Sequence, residues 1–261
     1  MLNELIDELK TLLQNVGDFL IKQDVKVSYH KTINDLLTEN DLSVERYIVS
    51  NLKEKFPLVN IISEETYSSS KLKGISVVID PIDGTCNFAN HLDLFGIQVA
   101  IFDEWELTSA LMYFPLRKEL VYGVKGKGVY INEKKIEVDI NKNAKDSILL
   151  ISDYYPNIDI PMDRQFELVK ELQSVFLKTR HLGAACIDFV TLIKSQAVAY
   201  ITYYHHIWDI APGLMLIKEL GFVFKHISGE KYKFKTPGLV VANNEENLNK
   251  ILDTYKKLSN K

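Results

Sequence analysis

The segment Asp80-Pro81-Ile82-Asp83-Gly84-Thr85 has the residue types and spacing that metal-assisted chemistry requires. It follows the apolar run from Val77 to Ile79, which predicts a buried strand. Pro81 and Gly84 predict a tight turn, so both aspartates and the carbonyl between them can face one cavity. Buried carboxylates are costly unless a cation or hydrogen bonds compensate them, and oxygen ligands suit Mg²⁺. The alternative is an Asx-turn with two solvated aspartates.

Acidic residues recur in three other segments, each of which also has an ordinary structural explanation. Glu64-Glu65 follows an apolar run, but such a pair usually belongs to a solvated surface. Asp41 ends a polar segment that could simply cap a helix. Asp209, in the segment Trp208 to Ala211, lies at a predicted helix start and by itself would be an N-cap.

Together, the four segments resemble the inositol monophosphatase family. The family pattern is an upstream Asp, then Glu-Glu, then Asp-Pro-Ile-Asp-Gly-Thr, then Trp-Asp-x-Ala, and all four occur here in that order. Residues 31–41 also fit the upstream form Lys-x-x-x-Asp-Leu-x-Thr-x-x-Asp. The third motif is highly specific, whereas the fourth alone is weak. The resemblance implies a Mg²⁺-dependent, lithium-sensitive phosphatase in which a metal-activated water hydrolyses a phosphate monoester.

The resemblance also implies a role for each matching residue, with two or three Mg²⁺ ions per active site. The first ion would be held by Glu64, Asp80 and the Ile82 carbonyl. The second would be held by Asp80, Asp83 and Asp209. Glu65 and Asp41 would lie beside a third, weaker site. Thr85, hydrogen-bonded to Asp41, would orient and help deprotonate the attacking water, and Glu64 completes the expected catalytic set.

Substrate contacts are expected mainly from the second half of the chain. The implied contacts are Asp83, Gly84, Thr85, Gly183, Ala184, Ala185, Thr202 and Asp209. Gly183-Ala184-Ala185 resembles the family's Gly-Thr-Ala segment, with Ala184 in place of a hydroxyl residue. Thr202 stands seven residues before Asp209, where inositol-specific members carry Glu. Losing that charged acceptor would cost ~1.5–3 kcal/mol of binding.

The substrate therefore stays open. An activity like that of inositol-1-monophosphatase is the leading prediction. Alternatives with the same chemistry are fructose-1,6-bisphosphatase, NADP(H) phosphatase, histidinol-phosphatase and, less favoured by Cys86-Asn87-Phe88, 3′-phosphoadenosine 5′-phosphate phosphatase. A different kind of protein, a catalytically silent binder of metal or phosphometabolite, is a further alternative.

Composition limits the partners. The 261 residues carry a net charge of −4 with both signs spread along the chain, so nucleic acid is not expected as the main partner. No apolar run approaches the roughly 20 residues that span a bilayer, and Glu4, Asp7 and Glu8 interrupt any signal-peptide core. Two cysteines form no disulfide framework. We expect a cytoplasmic protein that binds a small phosphorylated metabolite, no nucleic acid and no membrane.

Periodicity predicts the elements that position these residues. Helices are predicted over residues 2–20, from Asp41 to before Pro57, from Pro161 through Phe176, near 184–195 and 209–220, and at the C-terminus. Strands are predicted at 59–62, 76–79, 147–151, 179–182, 197–201, 222–226 and 239–242, with an antiparallel meander over 96–102, 107–113, 118–124 and 128–131.

Strand–helix alternation after about residue 145 predicts two halves in one compact unit. Residues 1–145 would form an α+β half with an antiparallel sheet and most of the metal ligands. Residues 146–261 would form an α/β half with Asp209 and the substrate contacts. The resemblance implies a five-layer αβαβα sandwich of the sugar-phosphatase type and a homodimer. It also suggests that the 66–74 loop closes over the site.

Overall fold

A computed structural model describes residues 1–25, 27–32, 35–156, 158–234 and 236–259, with the backbone alone for residues 27–32 and 35. The helices are α1 (Leu2–Leu20), α2 (Glu39–Lys55), α3 (Thr85–Ala89), α4 (Met162–Leu172), α5 (Ala185–Ile193), α6 (Ile207–Glu219) and α7 (Glu245–Ser259). The strands are β1 (Val27–Thr32), β2 (Asp35–Thr38), β3 (Asn60–Ser63), β4 (Ile75–Asp83), β5 (Gly96–Asp103), β6 (Glu106–Phe114), β7 (Glu119–Val124), β8 (Gly128–Ile131), β9 (Lys134–Lys135), β10 (Ile148–Ile151), β11 (Lys178–Arg180), β12 (Ala199–Thr202), β13 (Val223–His226) and β14 (Leu239–Ala242). Among the described helices, none combines the length and apolar character that a bilayer span requires.

Two mixed sheets organise the strands. The seven-stranded sheet runs in chain order from β3 to β9, and its β3–β4 pair is parallel whereas its other pairs are antiparallel. The five-stranded sheet has the order β11-β10-β12-β14-β13, with β10 parallel to both of its neighbours. Strands β1 and β2 form a separate antiparallel pair. The predicted meander over residues 96–131 is confirmed.

Three buried apolar clusters separate five layers. The first lies between the α1–α2 pair and one face of the seven-stranded sheet, with Leu9, Leu52 and Val99 among its members. The second joins the other face of that sheet to α5 and α6 and to one face of the five-stranded sheet. The third covers the remaining face with α4 and α7. Side chains alternate across a strand, so Val99 of β5 contributes to the first cluster whereas Ala100 faces Trp208 on the α6 side. The predicted αβαβα sandwich is confirmed, and the boundary near residue 145 stays a prediction.

Three predicted helix limits are wrong. Helix α2 begins at Glu39 rather than Asp41, because Thr38 is the N-cap and accepts a hydrogen bond from the Asp41 amide. Helix α6 begins at Ile207, so Asp209 is its third residue. Helix α4 ends at Leu172, and Phe176 continues the apolar face from the turn that follows. Helix boundaries depend on local capping more than on apolar periodicity.

Candidate active site

The parallel strands β3 and β4 bring two acidic segments to the same sheet edge. Ser63, the last residue of β3, pairs with Ile79 of β4. Glu64 follows, and its amide donates to the Ile79 carbonyl at 3.3 Å. Asp80 and Asp83 flank an irregularity in the pairing of β4 with β5. Glu64 therefore lies beside the end of β4 that carries both aspartates.

Asp80 is the most buried of these carboxylates. Its side chain is 2% exposed, and within the described residues its Oδ1 has no hydrogen-bond partner. Burial raises the pKa of Asp80 well above its ordinary value, and the charges of Glu64, Asp83 and Asp209 raise it further. Among the effects resolved for the described residues, only a hydrogen bond with Gln98 lowers the pKa of Asp80. The site thus crowds negative charge around a buried acid.

Asp83 is held by backbone amides from α5 and by one side chain. The Cys186 amide and the Ala185 amide donate to its carboxylate, the latter at 3.3 Å. Gln98 Nε2 donates to Asp83 Oδ2 at 3.1 Å and to the Asp209 carbonyl at 3.1 Å. Burial raises the pKa of Asp83 to about 6, although the Cys186 and Ala185 amides lower it. Gln98 therefore links Asp83, at the end of β4, to Asp209 of α6.

Asp41 and Thr85 form the contact that the resemblance implies. Thr85 Oγ1 lies 3.0 Å from Asp41 Oδ1 and 2.9 Å from the Ile82 carbonyl. The other oxygen of Asp41 accepts from the Thr38 amide at 2.8 Å and from the Thr38 hydroxyl. Asp41 is 1% exposed, and burial raises its pKa to about 6 against the Thr38 and Thr85 hydrogen bonds. Lys31 through Asp35, the start of the upstream motif, has no described side chains.

Glu45 and Gln98 support the site, and sequence reasoning missed both. Glu45 is 2% exposed and its Oε2 accepts from the Ser63 hydroxyl and from the amides of Glu65, at 3.0 Å, and Thr66, at 3.3 Å. It therefore fixes the turn that carries Glu64 and Glu65. The available signal was a polar residue on an apolar face: Glu45 lies four residues after Asp41 on α2, and Gln98 interrupts the buried strand β5.

A cleft with about 430 Å³ of empty space opens beside the acidic cluster. Six of the predicted substrate contacts line it: Asp83, Gly183, Ala184, Ala185, Thr202 and Asp209. Gly84, in the adjoining turn, and Thr85, the first residue of α3, are not among the described lining residues. Gly84 has φ +91°, and a Cβ there would lie 2.8 Å from the Ala184 Cβ, so the turn approaches the cleft wall closely.

Two lining residues bear on the substrate. Thr202 is 1% exposed, and its hydroxyl donates to the Tyr204 carbonyl at 2.8 Å. Asp188, which sequence reasoning missed, is also 1% exposed, and its Oδ1 has no hydrogen-bond partner in the described structure. Burial raises the pKa of Asp188 well above its ordinary value, and the charges of Asp83 and Asp153 add to this. The cleft lining therefore carries four aspartates, while its described residues include no lysine or arginine.

Comparisons with known proteins agree with the sequence resemblance. The sequence model of the inositol monophosphatase family matches residues 3–259. The inositol-1-monophosphatase of Bacillus subtilis is 30% identical over 226 residues, which are 85% of this chain and 84% of that protein. The fructose-1,6-bisphosphatase/inositol-1-monophosphatase of Thermotoga maritima is 28% identical over 242 residues, 89% of this chain and 88% of that protein.

Other relatives differ in name. Nus factor SuhB of Pasteurella multocida is 29% identical over 213 residues, 81% of this chain and 79% of that protein. The crystal structure of an IMPase/NADP phosphatase complexed with Mg²⁺ and phosphate has a TM-score of 0.82 at 21% identity, and the match covers 97% of this chain and 94% of that one. The structural likeness shows the same fold.

Proposed function

The chain belongs to the inositol monophosphatase family, and from that premise we propose that it hydrolyses a phosphate monoester of a small metabolite with Mg²⁺ as cofactor. The observation that carries the proposal is the crowding of carboxylates around Asp80. The charges of Glu64, Asp83 and Asp209 all act on this buried acid. Like charges in a buried site oppose one another's ionisation. A bound cation removes that conflict, and a phosphate group then has a positive partner.

The donors in the site fit Mg²⁺. They are oxygens, which Mg²⁺ prefers. Oδ1 of Asp80 has no hydrogen-bond partner among the described residues, and a metal ligand would explain why this buried oxygen lacks one. In the described part of the chain, no three His, Cys, Asp or Glu side chains are already placed to hold a metal ion together, so a bound ion would have to draw its ligands closer. From the family resemblance we assign the ligands as a proposal: Glu64, Asp80 and the Ile82 carbonyl for one ion, and Asp80, Asp83 and Asp209 for another, with Glu65 beside a third. When bound, such ions activate water and neutralise charge on the attacking and leaving oxygens.

Thr85 would accept a hydrogen bond from the attacking water, and Asp41 would take up its proton. A hydroxyl has one hydrogen and two lone pairs. If Thr85 donates to Asp41 Oδ1 or to the Ile82 carbonyl, a lone pair on Oγ1 is available to accept from water. Thr38 holds the opposite oxygen of Asp41, which fixes the carboxylate in place. The raised pKa of Asp41, about 6, suits a group that takes up a proton near neutral pH.

The substrate proposal stays at the level of a small phosphorylated metabolite. Ala184 brings no hydroxyl to the cleft, and the Thr202 hydroxyl already donates a hydrogen bond to the Tyr204 carbonyl. Both residues lower the expected preference for inositol phosphate. The B. subtilis and T. maritima relatives support phosphomonoester chemistry, while the SuhB name marks a relative with a different role.

The test is release of inorganic phosphate from a panel of phosphate esters, with Mg²⁺ or with EDTA. We expect Mg²⁺-dependent release by the wild type and loss of turnover in Asp83→Asn, because that change removes a ligand at nearly constant volume. Asp253→Asn is the matched control, since Asp253 is exposed on α7. No hydrolysis of any ester would favour the catalytically silent alternative, and retained turnover in Asp83→Asn would reject the two-metal assignment.

A further inference from the structure

A second, larger cleft adjoins the catalytic one. It contains about 1450 Å³ of empty space and opens to solvent between the β3–β4 connection, the β5–β6 turn and the start of α6. Tyr204 and His205 line both clefts, so the two form one continuous surface. Whatever occupies the larger cleft therefore lies next to the smaller cleft, which is lined by Asp83 and Asp209.

Trp105 forms part of the rim in a way that packing does not explain. It is 70% exposed and lies in the tight turn between β5 and β6. Glu104 and Trp105 have φ values of +55° and +108°, a region that favours Gly or Asn and is uncommon for bulky residues. A strained, exposed Trp contributes little to the core. Such strain is associated with binding sites.

The other walls are aromatic and include two buried polar atoms that have no hydrogen-bond partner among the described residues. His206 stacks on Trp208 with ring centroids 4.7 Å apart and planes 16° apart, and Phe234 lies further along the cleft. Trp208 is 6% exposed, and in the described structure its Nε1 has no hydrogen-bond partner. Nδ1 of His205 is likewise buried with no partner among the described residues. Flat apolar walls with a few polar atoms suit a planar heterocycle.

We propose that this aromatic cleft, lined by Trp105, His205, His206, Trp208 and Phe234, binds the base of a phosphorylated nucleoside whose phosphate reaches the carboxylate cluster. The inference rests on the proposed phosphatase function and specifies its substrate class. Aromatic side chains stack on any nucleobase because every base has a π-face. An inositol or simple sugar phosphate would leave the aromatic cleft unused.

The kinetic test compares two monoesters of secondary alcohols, adenosine 2′-monophosphate and glycerol 2-phosphate, with Mg²⁺ present. We expect the ratio of their kcat/KM values to favour the adenosine ester in the wild type. Trp105→Ala should lower that ratio about tenfold, the equivalent of ~1.4 kcal/mol, whereas Trp105→Phe should keep most of it. Phe19→Ala is the matched control, because Phe19 is 54% exposed on α1, away from the cleft. An unchanged ratio in Trp105→Ala would overturn the proposal.

A binding measurement separates this inference from the proposed function. Calorimetric titration with adenosine, in EDTA, needs neither phosphate nor turnover, and we expect binding that Trp105→Ala and Phe234→Ala both weaken. Binding without hydrolysis of any ester would support the cleft and reject the phosphatase. Hydrolysis of glycerol 2-phosphate without adenosine binding would support the phosphatase and reject the cleft. Burial of Trp105 by a second copy, seen as a concentration-dependent shift in fluorescence and sedimentation, would also reject it.

Discussion

Replacing Asp41 by Asn should stabilise the metal-free protein and remove most of its turnover. The amide oxygen of Asn can accept the Thr38 hydrogen bonds that the carboxylate accepts now. Its amide nitrogen can then donate to Thr85 Oγ1, while Thr85 donates to the Ile82 carbonyl. No buried polar group loses its partner, so the substitution changes charge without breaking the local structure. It also removes the carboxylate that would take up the proton of the attacking water, and its N–H occupies one of the two lone pairs of Thr85 Oγ1.

The magnitude follows from the raised pKa of Asp41. Its ordinary value is 3.8 and the folded value is about 6. At about 1.4 kcal/mol per pH unit, ionised Asp41 destabilises the folded state by up to about 3 kcal/mol. Because the folded pKa is the higher one, this penalty is absent below about pH 4 and complete above about pH 7. Asp41→Asn should therefore gain about 3 kcal/mol at pH 8, or about 6 °C in Tm, and almost nothing at pH 4.

The assay is urea or thermal unfolding in EDTA at pH 4, 6 and 8, with Asp253→Asn as a control for net charge. His205, whose pKa burial lowers to about 4, destabilises both proteins equally as pH falls and cancels in the difference. Turnover with Mg²⁺ should fall by about 10²–10⁴, the usual contribution of a general base. A gain that does not change with pH, or turnover within tenfold of the wild type, would refute the reasoning.

Three further predictions concern the support of the site and its substrate. Glu45→Gln should weaken Mg²⁺ activation about 10–100-fold, since Glu45 fixes the Glu64–Glu65 turn; an unchanged Mg²⁺ dependence of the rate would contradict that role. Thr202→Glu should raise kcat/KM for inositol 1-phosphate relative to glycerol 2-phosphate, and an unchanged ratio would show that position 202 does not contact the substrate. Mg²⁺ should raise Tm more at pH 8 than at pH 5. Asp83, with a pKa of about 6, is ionised at the higher pH, where protons no longer compete with Mg²⁺ for its carboxylate. Equal Tm shifts at the two pH values, measured by calorimetry, would argue against carboxylate ligands.

Most of the fold could be predicted because apolar periodicity is a local signal. The spacing of Leu5, Leu9 and Leu12 predicts α1, and all three side chains are buried. The limits of α2 and α6 were predicted less well, because an Asp near a helix start can occupy either the N-cap or the third position. In both helices it occupies the third. Only the hydrogen bonds from the N-cap residues distinguish these positions.

The site residues that belong to a sequence motif could be predicted, whereas those that reach the site only through tertiary contacts could not. Asp80 and Asp83 stand out because their motif consists of consecutive residues, although β4 continues through Pro81 to Asp83 with an irregular pairing, and the predicted turn begins only at Gly84. Glu45 accepts a hydrogen bond from the amide of Glu65, 20 positions along the chain. Gln98 donates one to the carboxylate of Asp83, 15 positions away. No local pattern encodes such partners. A polar residue on an apolar face was their only sequence signal.

Helix geometry explains how the fold supports so much negative charge in one place. Asp41 and Asp209 are each the third residue of a helix, and each accepts from the backbone amide of its N-cap residue, at 2.8 Å from Thr38 and 2.5 Å from His206. That arrangement fixes one carboxylate oxygen on the helix, where the helix dipole also favours negative charge. For Asp41 burial still outweighs these effects, because its pKa is raised. The residual penalty is the free energy that a cation would recover, so replacement of Asp41 should raise the stability of the metal-free chain and lower its affinity for Mg²⁺.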